Sequence, residues 1–269
     1  MNYVRVMGGL GNQLFQYVFS KYVEKKTECP VLLDFNFFNY VKDVQGATVR
    51  NQELDKLNTH YVSITGDVAC SRVVDEYSFT DDILRDELIY FNGYWQDKRY
   101  YEEVKNQIIS DLEIRDEYID QEMISLIGEM ANTNSVSVHI RRSDYLTGQN
   151  ASIFTSLSES YYSKALDIIK NNVGSNARLF VFSDDVSFAK KLMDNADDDN
   201  WQVMPMRNAY QDMYLMTMCK HHIIANSSFS WWGAVLGEEG FPEGITVAPK
   251  TWYKDRQNPN LYFDRWVTL

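Results

Sequence analysis

The stretch VSVHIRRSDYL contains the side chains with the clearest chemical potential. Alternating apolar residues predict a buried strand over residues 136–140, and two arginines, Arg141 and Arg142, follow it directly. A guanidinium can form two parallel hydrogen bonds to a phosphate. Because side chains alternate along a strand, we expect His139 and Arg141 on one side and Arg142 facing elsewhere. The segment predicts an anion site, although Arg142 could instead pair with Asp144 or another acid.

A second polar strand end occurs in HHIIANSSFSWWGAVL. Asn226 is the candidate N-cap residue, and Ser227 and Ser228 open the helix that follows. Unpaired backbone N–H groups and the positive end of the helix dipole favour an anion there. The alternative is an ordinary helix cap with aromatic residues in the core, which we favour for the two tryptophans.

A third strand, FVFSDD, ends in Asp184 and Asp185. A carboxylate at this position can accept hydrogen bonds from a ribose or from the N1–H and amino edge of guanine. The alternative is a helix cap by Ser183 with both acids in the first turn, and this motif alone does not decide between the two.

The turn GGLGNQ partly matches the glycine-rich motif of dinucleotide-binding proteins. The Rossmann fingerprint places a third glycine where this chain has Leu14, so the match fails, although Asp34 imitates the ribose-binding acid. We therefore interpret the segment as a backbone turn that allows close approach of a sugar or phosphate. Asn12 and Gln13 would supply neutral hydrogen-bonding groups.

No metal site is predicted. The DxD sequence at residues 197–199 follows a helix without a flanking strand, which indicates a hydrated loop. His60, His221 and His222 have no partner at ligand spacing.

Composition limits the class of protein. The 269 residues are 45% hydrophobic, and 26 Lys plus Arg against 38 Asp plus Glu give a formal net charge of -12, which disfavours nucleic acid as a partner. Three cysteines, Cys29, Cys70 and Cys219, show no ligand spacing, so we expect reduced core thiols. Without a leader or a long apolar run, we expect a cytosolic, soluble chain.

The coarse pattern of elements predicts an α/β fold. YVRVM, the amphipathic segment NQLFQYVFSKYVEKK and VLLDFN form a βαβ unit. From residue 134 onward, five apolar strands alternate with helical segments, which is typical of an open parallel sheet. We expect two Rossmann-like domains, residues 1–133 and 134–269, with a cleft between them, whereas residues 40–90 show no clear pattern.

Taken together, these motifs resemble the α-1,2-fucosyltransferases of glycosyltransferase family 11. The resemblance rests on GGLGNQLFQY, HIRRSDYL, FSDD, DMYLMTMCKHHIIANSSFSWWGAVL and APKTWY, which cover the chain in the family's order. One departure is Ser143, where the family commonly has glycine. The resemblance implies a GT-B fold with two facing Rossmann-like domains, the first on the acceptor side and the second binding a GDP-sugar.

The resemblance also implies an activity. Such enzymes transfer L-fucose from GDP-β-L-fucose to the 2-hydroxyl of a terminal galactose, with inversion and without a metal or other cofactor. The motifs and the resemblance together predict the donor-site residues Gly11, Asn12, Gln13, His139, Arg141, Arg142, Asp184, Asp185, Asn226, Ser227, Ser228 and Phe229, with Asp184 or Asp185 contacting the guanosine. Arg141 would bind the diphosphate, and Asp144 is the candidate base.

Other functions stay open at this point. A fucosyltransferase of α-1,6 or protein O-linked specificity would share the arginine strand, and a nucleotide-binding or glycan-binding module would lack transfer activity. The expected partners are GDP-fucose and a galactose-terminated glycan acceptor, either free or lipid-linked. The expected setting is bacterial and cytoplasmic, with or without peripheral attachment to the inner face of the membrane, and the expected role is in surface-polysaccharide synthesis.

Overall fold

The computed structural model describes residues 1–40, 50–64, 66–86, 88–142, 145, 150–174, 176–195 and 200–269. The chain divides into two compact units, Met1–Arg115 and Asp116–Leu269. Each unit contains its own sheet, in which every strand pair of the described chain is parallel. The α/β class expected from the sequence is confirmed.

The first unit contains a five-stranded sheet in the order β3-β2-β1-β5-β4. Its elements are β1 (Asn2–Arg5), α1 (Leu10–Thr27), β2 (Val31–Asp34), α2 (Phe37–Tyr40), β3 (Val62–Ile64), β4 (Arg72–Val74), β5 (Ile89–Phe91) and α3 (Lys98–Ile108). Short 3₁₀ helices lie at Leu54–Lys56, Asp81–Arg85 and Ile109–Leu112.

Aromatic packing fixes α1 against one face of this sheet. Phe19 stacks on Trp95 with ring centroids 3.8 Å apart and meets Phe91 edge to face at 5.2 Å. Large aromatic contacts of this kind contribute both buried area and defined geometry. Because Phe91 faces α1, its neighbour Tyr90 points to the opposite face of the sheet.

The second unit contains a six-stranded sheet in the order β11-β10-β9-β6-β7-β8. Its elements are a 3₁₀ turn (Asp116–Tyr118), α4 (Gln121–Asn132), β6 (Asn134–Ile140), α5 (Asn150–Ile153), α6 (Glu159–Val173), β7 (Ala177–Ser183), α7 (Val186–Asp194), β8 (Trp201–Val203), α8 (Ala209–Thr217), β9 (His221–Ile223), α9 (Ser228–Gly240), β10 (Thr246–Ala248) and β11 (Val267–Thr268).

The central strand β6 is buried from Ser135 to Ile140, as expected for a parallel strand covered on both faces. It pairs with β7, where Ile140 lies opposite Ser183, and with β9, where Val138 lies opposite Ile223. The carboxyl ends of the three strands therefore lie side by side. In open parallel sheets this edge is where ligands bind.

Helix α4 belongs to the second unit. Asp120 caps it by accepting a hydrogen bond of 2.8 Å from the amide of Met123, and the helix contacts β6 and α8. The sequence-based division at residue 133 instead grouped this segment with the first half of the chain.

Two cysteines differ from expectation. Cys29 and Cys70 are exposed, and only Cys219 is a buried core thiol, while all three are free. None of the described helices combines the length and the apolar character needed to cross a membrane.

Candidate active site

Arg141 leaves the carboxyl end of β6 and meets a carboxylate from the next strand. Its Nη1 lies 3.1 Å from Oδ2 of Asp184, and its guanidinium lies 5.9 Å from the ring centroid of Tyr145. The Arg141 side chain is 24% exposed, so part of the cation is accessible to a ligand. A cation held from two sides in this way is oriented before any anion arrives.

Arg142 has a different environment. Its guanidinium lies 3.8 Å from the ring centroid of Phe188, and its Nε is 3.5 Å from Oδ2 of Asp185. The contact with Asp185 is an ion pair without hydrogen-bond geometry, because Nε has no hydrogen-bond partner among the described residues. Stacking and pairing hold Arg142 against α7, and among the described residues Asp185 is the acid that pairs with it.

The two aspartates after β7 are both engaged. Asp184 accepts the backbone amide of Arg142 at 2.9 Å through Oδ1, in addition to its contact with Arg141. Asp185 is the N-cap residue of α7 and accepts the amide of Phe188 at 3.0 Å. The cap is therefore Asp185, and Ser183 instead accepts the amide of Asp185 at 2.9 Å.

His139 is buried beside this cluster. Its ring centroid lies 5.4 Å from that of Phe229, and its Nδ1 has no hydrogen-bond partner within the described chain. Burial, and secondarily the positive charge of Arg141, lowers the pKa of His139 to about 3. The imidazole is therefore neutral at physiological pH and offers one donor and one acceptor.

Asn226 has a structural position that the sequence did not reveal. Its side chain is completely buried, and its amide nitrogen donates to the carbonyl oxygens of Thr155 at 2.9 Å and Trp252 at 2.8 Å. Its Oδ1 has no hydrogen-bond partner in the part of the chain that the structure describes. Tyr145 donates its hydroxyl to the Asn226 carbonyl at 2.9 Å, so several loops converge on this residue.

The N-cap residue of α9 is Ser227 rather than Asn226, which corrects the sequence-based assignment. Ser227 makes no side-chain capping bond, and no acidic residue lies in the first turn. The helix therefore starts with an N-terminal end of positive potential at the same sheet edge as Arg141. Trp231 and Trp232, in contrast, are fully buried core residues, as expected.

The glycine turn of the first unit has its own internal partners. Gly8 has φ of +80°, a conformation that glycine adopts readily. Gln13 is completely buried, donates to the carbonyl oxygens of Gly8 (3.0 Å) and Asn51 (2.8 Å), and accepts the amide of Glu53 at 2.9 Å. The sequence predicted that Gln13 would supply hydrogen-bonding groups to a sugar or phosphate, whereas its side-chain amide here holds a loop of the same unit.

The neighbours of Gln13 show the same tendency. Gly11 is buried, and Asn12 accepts a hydrogen bond of 2.8 Å from the side chain of Gln96. Glu53 accepts a backbone hydrogen bond from Leu10, and burial raises the pKa of its carboxyl. The Glu53 carboxyl group therefore lies at the N-terminal end of α1. The sequence predicted that a sugar or phosphate would approach this same position.

Asp212 is a candidate that sequence reasoning missed. It lies in the first turn of α8, and its Oδ1 is buried with no hydrogen-bond partner among the residues described. Burial raises the pKa of Asp212 to about 6, opposed by a backbone hydrogen bond and the charge of Arg207. The sequence feature that could have identified Asp212 is an acidic residue at the start of the helix in DMYLMTMCK. This motif contributes to the family resemblance, but no chemical role was predicted for its acid.

Some predicted residues cannot be placed. Asp144, Ser143 and the DxD sequence at residues 197–199 lie outside the described residues. Within the described ranges, no group of three or more His, Cys, Asp or Glu side chains could hold a metal ion.

Two histidines have structural partners. His222 is buried against Ser137, with its Nδ1 2.7 Å from the Ser137 hydroxyl, and His221 accepts a hydrogen bond of 3.0 Å from the amide of Ile245.

Comparison with known proteins identifies the family. Residues 73–269 match Glycosyl transferase family 11. The O-antigen biosynthesis glycosyltransferase WbnK of Escherichia coli is 30% identical over 309 aligned positions, covering 99% of this chain and 100% of that protein. An alpha-1,2-colitosyltransferase of Escherichia coli is 31% identical over 298 positions, covering 98% and 97%.

Solved structures support the fold. The NodZ alpha-1,6-fucosyltransferase from Bradyrhizobium, in a crystal soaked with GDP-fucose, superposes with a TM-score of 0.51 at 14% identity, covering 87% of this chain and 92% of that one. Together with the two parallel-sheet units, this similarity confirms the GT-B fold class. The chain belongs to glycosyl transferase family 11 and is a glycosyltransferase.

Proposed function

We propose that this glycosyltransferase moves L-fucose from GDP-β-L-fucose to the 2-hydroxyl of a terminal galactose in a glycan, with inversion and without a metal. The observation that carries the proposal is that Arg141 and the N-terminal end of α9 follow the neighbouring strands β6 and β9 at the same sheet edge. Two fixed positive groups suit a diphosphate leaving group. The alpha-1,2-colitosyltransferase relative supports the 1,2 linkage.

In the proposed reaction, the bond between the fucose anomeric carbon and the β-phosphate oxygen breaks while the acceptor oxygen bonds to that carbon. The departing GDP gains negative charge in the transition state. Fixed hydrogen-bond donors aimed at developing charge are commonly the largest catalytic contribution, about 3 kcal/mol for a single donor. Arg141, with Ser227, Ser228 and Phe229 at the start of α9, would supply those donors.

The remaining donor contacts follow from chemistry at the same edge. Neutral His139 would hydrogen-bond the donor through its buried ring, while Asp184, Asp185 or Asp212 would accept hydrogen bonds from the guanosine. Asp212 has the strongest physical argument, because an unpartnered buried carboxylate oxygen is costly unless a donor reaches it. Arg142 and Asn226 would act by positioning these groups.

The acceptor hydroxyl must lose its proton, and Asp144 stays the proposed base. A dissociative transition state makes strong deprotonation less necessary, so the effect of this residue is best measured across pH. We expect Asp144→Asn to lower the transfer rate most where the wild-type carboxylate is ionised. A rate that matches wild type from pH 5 to pH 8 would rule out this role.

A colitose donor is the alternative to a fucose donor, because the alpha-1,2-colitosyltransferase relative aligns over 98% of this chain. Colitose lacks one hydroxyl of L-fucose, and a site that hydrogen-bonds this hydroxyl discriminates strongly between the two sugars. We propose that the donor sugar is fucose and that the acceptor is a surface-polysaccharide precursor. We propose further that the enzyme binds this acceptor on the cytoplasmic side of the membrane. An α-1,6 linkage and binding without transfer are the competing functions.

The first test is calorimetric titration of the full chain with GDP and with UDP in buffer containing EDTA. We expect tight binding of GDP, with an affinity that EDTA does not change. We expect UDP to bind weakly. Transfer from GDP-fucose and from its colitose counterpart to lactose then reports the sugar and, after linkage analysis of the product, the position. Failure to bind GDP, or binding only after manganese is restored, would contradict the proposal.

A further inference from the structure

The first unit contains a concave pocket of about 310 Å³ that the donor chemistry does not use. It is lined at the carboxyl end of β1 by Arg5 and at the end of β2 by Asp34 and Asn36. These residues lie on the sheet face opposite α1, because Arg5 and Asp34 are register partners and Tyr90 reaches Asp34 from β5. The volume lies at the lower end of the range of about 300–1,000 Å³ typical of small-ligand sites.

Arg5 is held in place, and most of its donors have no partner among the described residues. Its Nη1 donates to Oδ1 of Asn92 at 3.2 Å, and the guanidinium lies 5.7 Å from the ring centroid of Phe37. Within the described ranges, no carboxylate lies at ion-pair distance from it. The neighbouring Asp34 is directed elsewhere, so Arg5 presents free donors to the pocket.

Asp34 and Asn36 add acceptors and an amide. Asp34 accepts the Tyr90 hydroxyl at 2.6 Å and the Asn36 amide at 2.8 Å, and each carboxylate oxygen can accept a further bond. The Asn36 side chain donates to the carbonyl of Gly66 at 3.1 Å, which fixes its orientation. Both donors and acceptors therefore line one small pocket.

Aromatic side chains complete the wall. Phe37 and Tyr40 come from the short helix α2, and Tyr40 is 69% exposed. Flat aromatic surfaces beside mixed hydrogen-bonding groups suit a ring with one apolar face and several hydroxyls. The pocket is lined by one cation, Arg5, and by two acids, Asp34 and Asp67. Its total charge therefore does not favour an anionic ligand.

We propose that this pocket binds a neutral pyranose ring. On the transfer function proposed above, that ring belongs to the acceptor glycan, and the pocket is its specificity subsite. The assignment to the acceptor rests on that proposed function, whereas the saccharide binding itself follows from the pocket alone.

The test is saturation-transfer NMR on the full chain, with lactose as the neutral probe and galacturonate as the anionic one. The variant is Tyr40→Ala, because this exposed residue can change without disturbing the core. Tyr77→Ala is the matched control, since Tyr77 is 81% exposed in the same unit but lies outside the pocket. Calorimetry with GDP is run on all three proteins.

We expect wild type and Tyr77→Ala to bind lactose equally and Tyr40→Ala to lose at least five-fold in affinity, with GDP affinity unchanged throughout. Absence of lactose binding, equal binding by Tyr40→Ala, or a preference for galacturonate would overturn the inference. Absence of GDP binding would instead contradict the proposed donor function, because lactose binding is measured without any donor.

Discussion

Two adjacent arginines show how strongly the environment decides a residue's role. Arg141 pairs with Asp184 and lies near Tyr145, and it keeps accessible surface at the sheet edge. Arg142 stacks on Phe188 of α7 and so packs against that helix. Since arginine forms both planar stacks and forked hydrogen bonds, one residue type serves both purposes.

The first prediction concerns Arg141. We expect Arg141→Ala to lower kcat for fucose transfer by about 100- to 1,000-fold, because a fixed donor to the leaving phosphate is lost. Steady-state kinetics with GDP-fucose measure the effect, and circular dichroism melts check that the variant folds. Near-normal turnover would show that another group stabilises the departing GDP.

Arg178→Ala is the control for losing an arginine from this sheet. Arg178 lies near the opposite end of β7, where its Nε donates to Glu129 at 2.8 Å. We expect this variant to transfer fucose at the wild-type rate. An equal loss in both variants would indicate a general structural effect and not a role at the site.

At the scale of elements, helix starts supply several groups of the candidate site. Asp185 caps α7 and also faces Arg142, so its effect on donor binding is mixed with its effect on the helix. Ser158 caps α6 by accepting the amide of Tyr161, and it has no part in the proposed site. The two caps can therefore be compared directly.

We expect Asp185→Ala and Ser158→Ala each to lower the free energy of unfolding by about 1 kcal/mol, whereas Asp185→Asn keeps its cap. If Asp185 contacts the guanosine, Asp185→Asn weakens GDP binding although stability is preserved. Chemical denaturation and calorimetry measure the two effects separately. Unchanged GDP affinity in Asp185→Asn would limit this residue to capping.

At the scale of the whole molecule, buried titratable groups make stability depend on pH. Burial lowers the pKa of His139 and His222 to about 3, so unfolding takes up protons below the ordinary value of about 6.5. The free energy of unfolding therefore falls as pH drops below that point, by up to about 1.4 kcal/mol per pH unit for each histidine.

Asp212 acts in the opposite direction. Because burial raises the pKa of Asp212 to about 6, the folded state favours its protonated form, and this stabilisation is lost as pH rises from about 4 to about 6. We expect Asp212→Asn to become more stable than wild type as pH increases, by about 3 kcal/mol at most at pH 8. Exposed Asp264→Asn is the matched control.

Thermal and denaturant unfolding at pH 4, 6 and 8 measure this difference. A stability difference between Asp212→Asn and wild type that stays constant with pH would mean that the Asp212 carboxyl is not destabilised by burial. GDP binding by the same variant would show whether the unpartnered oxygen receives a ligand.

The sequence by itself determined the α/β pattern, since alternating strands and amphipathic helices are local periodicities. It also located Arg141, Asp184 and the start of α9, because polar residues follow buried strands there, and parallel strands bring such ends to one edge. These features depend on residue order within short segments.

Only the tertiary structure decided which of these residues are accessible and which are structural. Gln13 and Asn226 read as hydrogen-bonding groups for a ligand, yet both are fully buried against backbone carbonyls far along the chain. The pocket around Arg5 and the buried oxygen of Asp212 were equally invisible. Burial and hydrogen-bond partners arise from contacts between distant segments, and no local pattern of residue types specifies them.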